Sequence, residues 1–138
     1  MLQGAETNPW HLDCQLLEGK FTLLTYDFDH RLRLWQSADG ETFEFVQTIL
    51  SADGRPGSFY RLTLYRSCLV RDDTGYKCYF SAGNEREVKL GLMQGDSLQN
   101  LKVVSAGGPR HRKQFWLDLA DIYTLPLRWG WRKLRGKS

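Results

Sequence analysis

Two stretches of the 138-residue chain put polar or ionisable side chains at the start of apolar runs: Trp10-His11-Leu12-Asp13 and Tyr65-Arg66-Ser67. A carboxylate such as Asp13 can move a proton or accept a hydroxyl, and His11 titrates close to neutral pH. Arg66 can clamp a carboxylate or phosphate with two parallel hydrogen bonds, or can pair with Asp13 and neutralise both. Trp10, Trp35 and Tyr65 offer flat apolar faces on which a ring could stack. Each residue also has a structural reading: a strand-start hydrogen-bonding role for Asp13, a satisfied histidine for His11, and packing between sheets for Trp35. No Gly-rich phosphate loop, Ser-His-Asp motif or metal-ligand spacing occurs, so no cofactor and no metal is expected.

Those residues must be held by extended segments. Apolar alternation and turn signals predict strands over His11–Leu17, Phe21–Tyr26, Arg31–Ser37 and Thr42–Leu50, with turns at Glu18-Gly19 and Ala38-Asp39-Gly40. After the Gly/Pro-rich connector Ser51–Ser58 the pattern returns as Leu64–Arg71, Tyr76–Ser81, Val88–Met93 and Leu101–Val104. Phe21 answers Tyr76 and Leu34 answers Leu90, an offset of 55 to 56 residues. Two four-stranded antiparallel meanders at one period suggest propeller-like blades. The chain therefore reads as all-β and as a single domain over 1–138, with a first blade at 9–50 and a second at 59–104. Phe115, Leu119 and Ile122 then predict a short helix over Gln114–Tyr123, followed by a basic, Trp-containing tail within 110–138.

With the repeats aligned, the sequence resembles the five-bladed β-propeller superfamily of glycoside hydrolases, the family 43 type. The resemblance rests on Trp10–Asp13, Glu18–Phe21, Leu34–Phe43, Leu64–Ser67, Gly75–Ala82 and Leu90–Leu92. It covers roughly residues 9 to 104, about two blades, where five at this offset would take about 275 residues. It implies a glycan-recognising, glycosidase-like protein, a truncated relative that binds or acts on carbohydrate. Members of that superfamily use three carboxylates from separate blades. By position only Asp13 can stand for one, with Trp10, His11, Trp35, Tyr65 and Arg66 as substrate-binding neighbours. Glycoside hydrolysis usually needs two carboxyl groups about 5–9.5 Å apart, and the position aligned with Asp13 is Cys68. If the chain is an enzyme, it is expected to be a glycoside hydrolase whose site other chains complete. Two blades leave open sheet edges, so a homo-oligomer, or a partner chain covering those edges, is expected.

Composition bounds the alternatives. Arg128, Arg132, Lys133, Arg135 and Lys137 outweigh the whole net charge of +3, leaving a slightly acidic body and no case for nucleic acid there. The competing reading is a non-enzymatic interaction module whose tail, 128–138, contacts a membrane surface or an acidic partner. Three cysteines without close pairing fit free thiols in a reducing compartment. With no apolar leader and no run long enough to span a bilayer, a cytoplasmic location is expected, with membrane association through the tail as its variant.

Overall fold

The computed structural model describes residues 1–84 and 87–105, together with Trp116, Leu119, Ala120, Tyr123 and Thr124. It is all-β, with two sheets. The first holds β1 (Leu2–Gln3), β2 (Pro9–Leu17), β3 (Lys20–Asp27), β4 (Arg31–Ser37) and β5 (Phe43–Ser51), in the order β1-β5-β4-β3-β2. The second holds β6 (Thr63–Asp72), β7 (Gly75–Gly83), β8 (Val88–Gly95) and β9 (Lys102–Ser105), in sequence order. A 3-10 turn, Leu98–Asn100, joins β8 to β9.

Eight strands agree with the sequence expectation to within a residue or two at nearly every end, because each is a hairpin arm bounded by a turn. Asp39 accepts the Glu41 and Thr42 amides at 2.9 and 3.0 Å, closing the β4–β5 turn. Those amide bonds, with that from Ser37, hold its carboxyl down at about 2. Gly75, at φ +118°, closes the β6–β7 turn, where an added Cβ would meet the Gly95 carbonyl at 2.5 Å.

The first sheet departs from the four strands expected. Leu2–Gln3 pairs parallel to Phe43–Glu44, and the Met1 carbonyl accepts the Phe43 amide at 2.8 Å. β1 lies at one edge and β2 at the other, so residues 4–8 must traverse the sheet between them. Thr7 is held on that path by a 2.6 Å bond to Asp27. The parallel strand covers the first two residues of the open edge of β5.

The repeat is written in the strand register. Pro9 pairs with Asp27 and Leu64 with Ala82; Leu17 pairs with Lys20 and Asp72 with Gly75. Both inner hairpins are thus related by 55 residues. In the outer strands, Trp35 pairs with Phe45 and Met93 with Val103, while Gln36 pairs with Glu44 and Gln94 with Lys102. Here the offset is 58. The β7–β8 hairpin takes up three extra residues, largely in longer paired arms that run on to Gly83–Val88, so Leu34 corresponds to Leu92, which corrects its sequence match to Leu90.

One face of the first sheet packs on one face of the second. Leu24, Tyr26, Leu32 and Leu34 meet Leu64, Leu69, Cys78, Phe80, Ala82 and Met93 in a shared core, with Phe59 from the connector. Burial pushes the Cys78 thiol up to about 12, with the charges of Asp13 and Cys68 adding to it, so it behaves as a small hydrophobe. Cys14 and Cys68 are also free, and both are exposed.

Trp116, Leu119, Ala120, Tyr123 and Thr124 are helical, within or just beyond the expected helix. The rest of that segment and the basic tail lie outside the described residues. Among the described residues no helix is long and apolar enough to cross a membrane.

Candidate functional site

The edge strands β2 and β6, one in each sheet, each begin with a bulge. The β2–β3 register shifts between Pro9 and His11, leaving Trp10 as the extra residue; the β6–β7 register shifts between Leu64 and Ser67, around Tyr65 and Arg66. A bulge breaks the strict in-out alternation and re-aims the side chains it carries. Both therefore throw an aromatic residue out at the same end of the molecule.

The rings meet. Trp10 stacks on Phe28 at 5.2 Å and 27° and meets the edge of Tyr65 at 5.2 Å and 77°. His11 lies 4.7 Å from both Trp10 and Tyr65. Trp10, Phe28 and Tyr65 keep 43%, 60% and 38% of their surface exposed, so the cluster is a platform and not part of the core. The Arg66 guanidinium lies 5.4 Å above the Tyr65 ring, a cation–π contact that pre-sets its position.

Beside the platform is a cleft of about 200 Å³ lined by His11, Asp13, Tyr26, Arg66 and Ser67 among others. That is below the ~300–1,000 Å³ of pockets that engulf a small molecule, so recognition would rest on the open aromatic surface. The His11 Nε2 is buried without a hydrogen-bond partner. The Tyr26 hydroxyl bonds His30 Nδ1 at 2.8 Å and Thr63 Oγ1 at 3.1 Å, tying the loop after β3 to the second sheet. Burial raises its pKa, so it stays a neutral hydroxyl. His30 sits at φ +62°, a left-handed conformation that a β-carbon disfavours and the tight turn imposes.

The loop bearing Phe28 is clamped from below. Arg33 on β4 pairs with Asp27, and with Asp29 at 2.6 and 3.1 Å. Burial opposes ionisation of Asp29, yet its bonds to Arg33 hold the carboxyl below its ordinary range. Two carboxylates around one buried guanidinium fix both flanks of Phe28.

Asp13 bridges the two sheets. Its Oδ2 accepts the Leu69 amide of β6 at 3.1 Å, and Gln15 Nε2 donates to the Leu69 carbonyl at 2.6 Å. β6 is the edge of its sheet, so these side chains occupy hydrogen-bonding groups that no strand pairs. Among the described residues Asp13 is the one carboxylate lining the cleft, and no ion pair joins it to Arg66. Trp35 is corrected: it is fully buried, its indole N–H donated to Thr25 Oγ1 at 2.8 Å, and it presents no face to a ligand. Trp10, His11, Tyr65 and Arg66 do converge, joined by Tyr26 from the end of β3 and by Phe28 and His30 from the polar segment that follows it. No group of metal-binding side chains occurs among the described residues.

No family model matches the sequence, and no curated protein matches it. Solved structures do share its fold. A thermostable family-43 glycoside hydrolase matches at TM-score 0.63 and 16% identity over 75% of this chain and 34% of its own. A glycosyl hydrolase from Bacteroides ovatus matches at 0.56 and 16% over 70% and 31%. A structure from a family of mannoside phosphorylases that contains glycoside hydrolases targeting β-1,2 mannosidic linkages matches at 0.59 and 14%, over 82% and 35%. This chain spans about a third of the length of these structures. The two-sheet unit thus has the fold of a part of such glycoside hydrolases.

Proposed function

We propose that the chain recognises carbohydrate through the platform of Trp10, Phe28 and Tyr65, with His11 and Arg66 supplying hydrogen bonds at its border. The observation that carries this reading is the convergence of three half-exposed rings at two repeat-related bulges. Aromatic faces of this kind bind the apolar face of a sugar ring while nearby polar groups address its hydroxyls. The likeness in fold to glycoside hydrolases supports the same substrate class.

Binding without hydrolysis is the reading for the single chain. Glycoside cleavage usually needs a second carboxyl group across the bond, and Asp13 has none beside it in the cleft and already holds the Leu69 amide. A glycan array followed by calorimetry tests the proposal. Trp10→Ala should weaken the best glycan at least tenfold, about 1.4 kcal/mol, with the β-sheet circular dichroism unchanged. An array with no bound glycan, or equal affinity of Trp10→Ala, overturns it.

A further inference from the structure

Residues 4–8 cross the outer face of the first sheet, the face turned away from the second. Gly4 lies close against β5, where an added Cβ would meet the Phe45 Cβ at 3.3 Å, and Thr7 is bonded to Asp27 at the end of β3. The crossing leaves a groove of about 630 Å³ between itself, the loop that carries Phe28, and β5. That is about three times the volume of the cleft beside Tyr65, and it falls within the ~300–1,000 Å³ of small-molecule sites.

The lining has a definite chemistry. Phe28 and Phe45 give the groove apolar walls. Thr48 stands beside them because it pairs with Arg33 across the β4–β5 ladder, and both Thr48 and Asn8 are exposed. A hydroxyl and a carboxamide each donate and accept hydrogen bonds. Asp27, 2% exposed, uses Oδ2 for Arg33 and Thr7 and keeps Oδ1 without a hydrogen-bond partner. A buried acceptor in that state is costly until a donor reaches it, and a ligand hydroxyl is such a donor. Glu6, Asp27 and Asp29 outnumber Arg31 and Arg33 by one, so the groove repels a phosphate or a carboxylate. An uncharged ring with one apolar face and several hydroxyls answers all of these features.

Phe28 joins the groove to the aromatic platform. Its ring lines the groove and also stacks on Trp10 at 5.2 Å. Two places suited to the same chemistry thus share one side chain, and a ligand of linked units can occupy both. We propose that the groove is a second sugar subsite, and that the ligand is an uncharged oligosaccharide with one unit on Trp10 and Tyr65 and the next beyond Phe28. This rests on the carbohydrate reading of the platform and adds to it the length and charge of the ligand. A linked second unit gains the contacts of the groove without losing translational freedom a second time, so affinity rises with chain length.

Calorimetry with a methyl monosaccharide and its neutral di- and trisaccharides, chosen from the sugars that the array identifies, tests the proposal. The unmodified chain should bind the oligosaccharides roughly tenfold more tightly than the monosaccharide. Asn8→Ala and Thr48→Ala, both at exposed positions, should remove most of that gain and leave monosaccharide binding unchanged, whereas Trp10→Ala should weaken every ligand. The Thr48 amide resonance should move with an oligosaccharide and stay in place with the monosaccharide. Equal affinity at all lengths, a gain that survives both groove variants, or a Thr48 resonance indifferent to the oligosaccharide overturns the second subsite and leaves the platform standing. Binding at no length, or full affinity in Trp10→Ala, removes the platform and the subsite together.

Discussion

Individual side chains at the candidate site owe their positions to buried charge. Arg33 and Asp27 are both buried, and Thr7 adds a second contact to the same carboxylate. Removing one member of such a pair leaves the other as an uncompensated interior charge, typically ~3–5 kcal/mol. Arg33→Ala should therefore lower stability by that amount in urea titrations and also weaken glycan binding, because Phe28 sits between Asp27 and Asp29. Unchanged stability would mean that Asp27 finds another cation. The sequence pointed to Trp10, His11, Tyr65 and Arg66, whose residue types imply chemistry. It concealed Phe28, which lies in a polar turn, and misplaced Trp35. In a strand, alternation shows which residues share a face but not which face is covered, and β3 and β4 are buried on both.

At the scale of strands, the meander was legible because each arm is short and each turn carries Gly or Asp. The three-residue shift between inner and outer offsets was not. It resides at the end of the β7–β8 hairpin, where the paired arms run on further than in β3–β4, and only cross-strand pairing reveals that Gln36 answers Gln94. The pairing of β2 with β6 was equally hidden, since it runs through side chains and not through a ladder. Asp13→Ala would leave the Leu69 amide of a sheet edge without an acceptor, a cost of ~1–3 kcal/mol. Asp13→Asn keeps an oxygen in place and should lose much less. Thermal unfolding of the two variants separates this bridging role from any other. If both lose stability equally, the carboxylate charge matters and the bond to Leu69 is not the reason.

Across the whole molecule, the two sheets have little independent core. Leu24 and Leu34 of the first are buried in the same cluster as Cys78, Phe80 and Met93 of the second, and Tyr26 bonds across to Thr63. A two-sheet repeat of this kind cannot bury its apolar faces one sheet at a time, so the sheets should unfold together. Leu34→Ala, at a fully buried site, should cost about 2–5 kcal/mol through lost transfer energy and the cavity left behind. Native-state hydrogen exchange reads how that loss is distributed. In a cooperative molecule the amides of β7 lose protection by the same free energy as those of β3 and β4, although β7 contains no substituted residue. Loss confined to the first sheet would instead make the sheets separate folding units, and the side-chain bridges from Asp13, Gln15 and Tyr26 would then be docking contacts between finished parts. The extent of burial favours the first outcome: the residues that close the core come from both repeats, and neither repeat supplies enough of them alone.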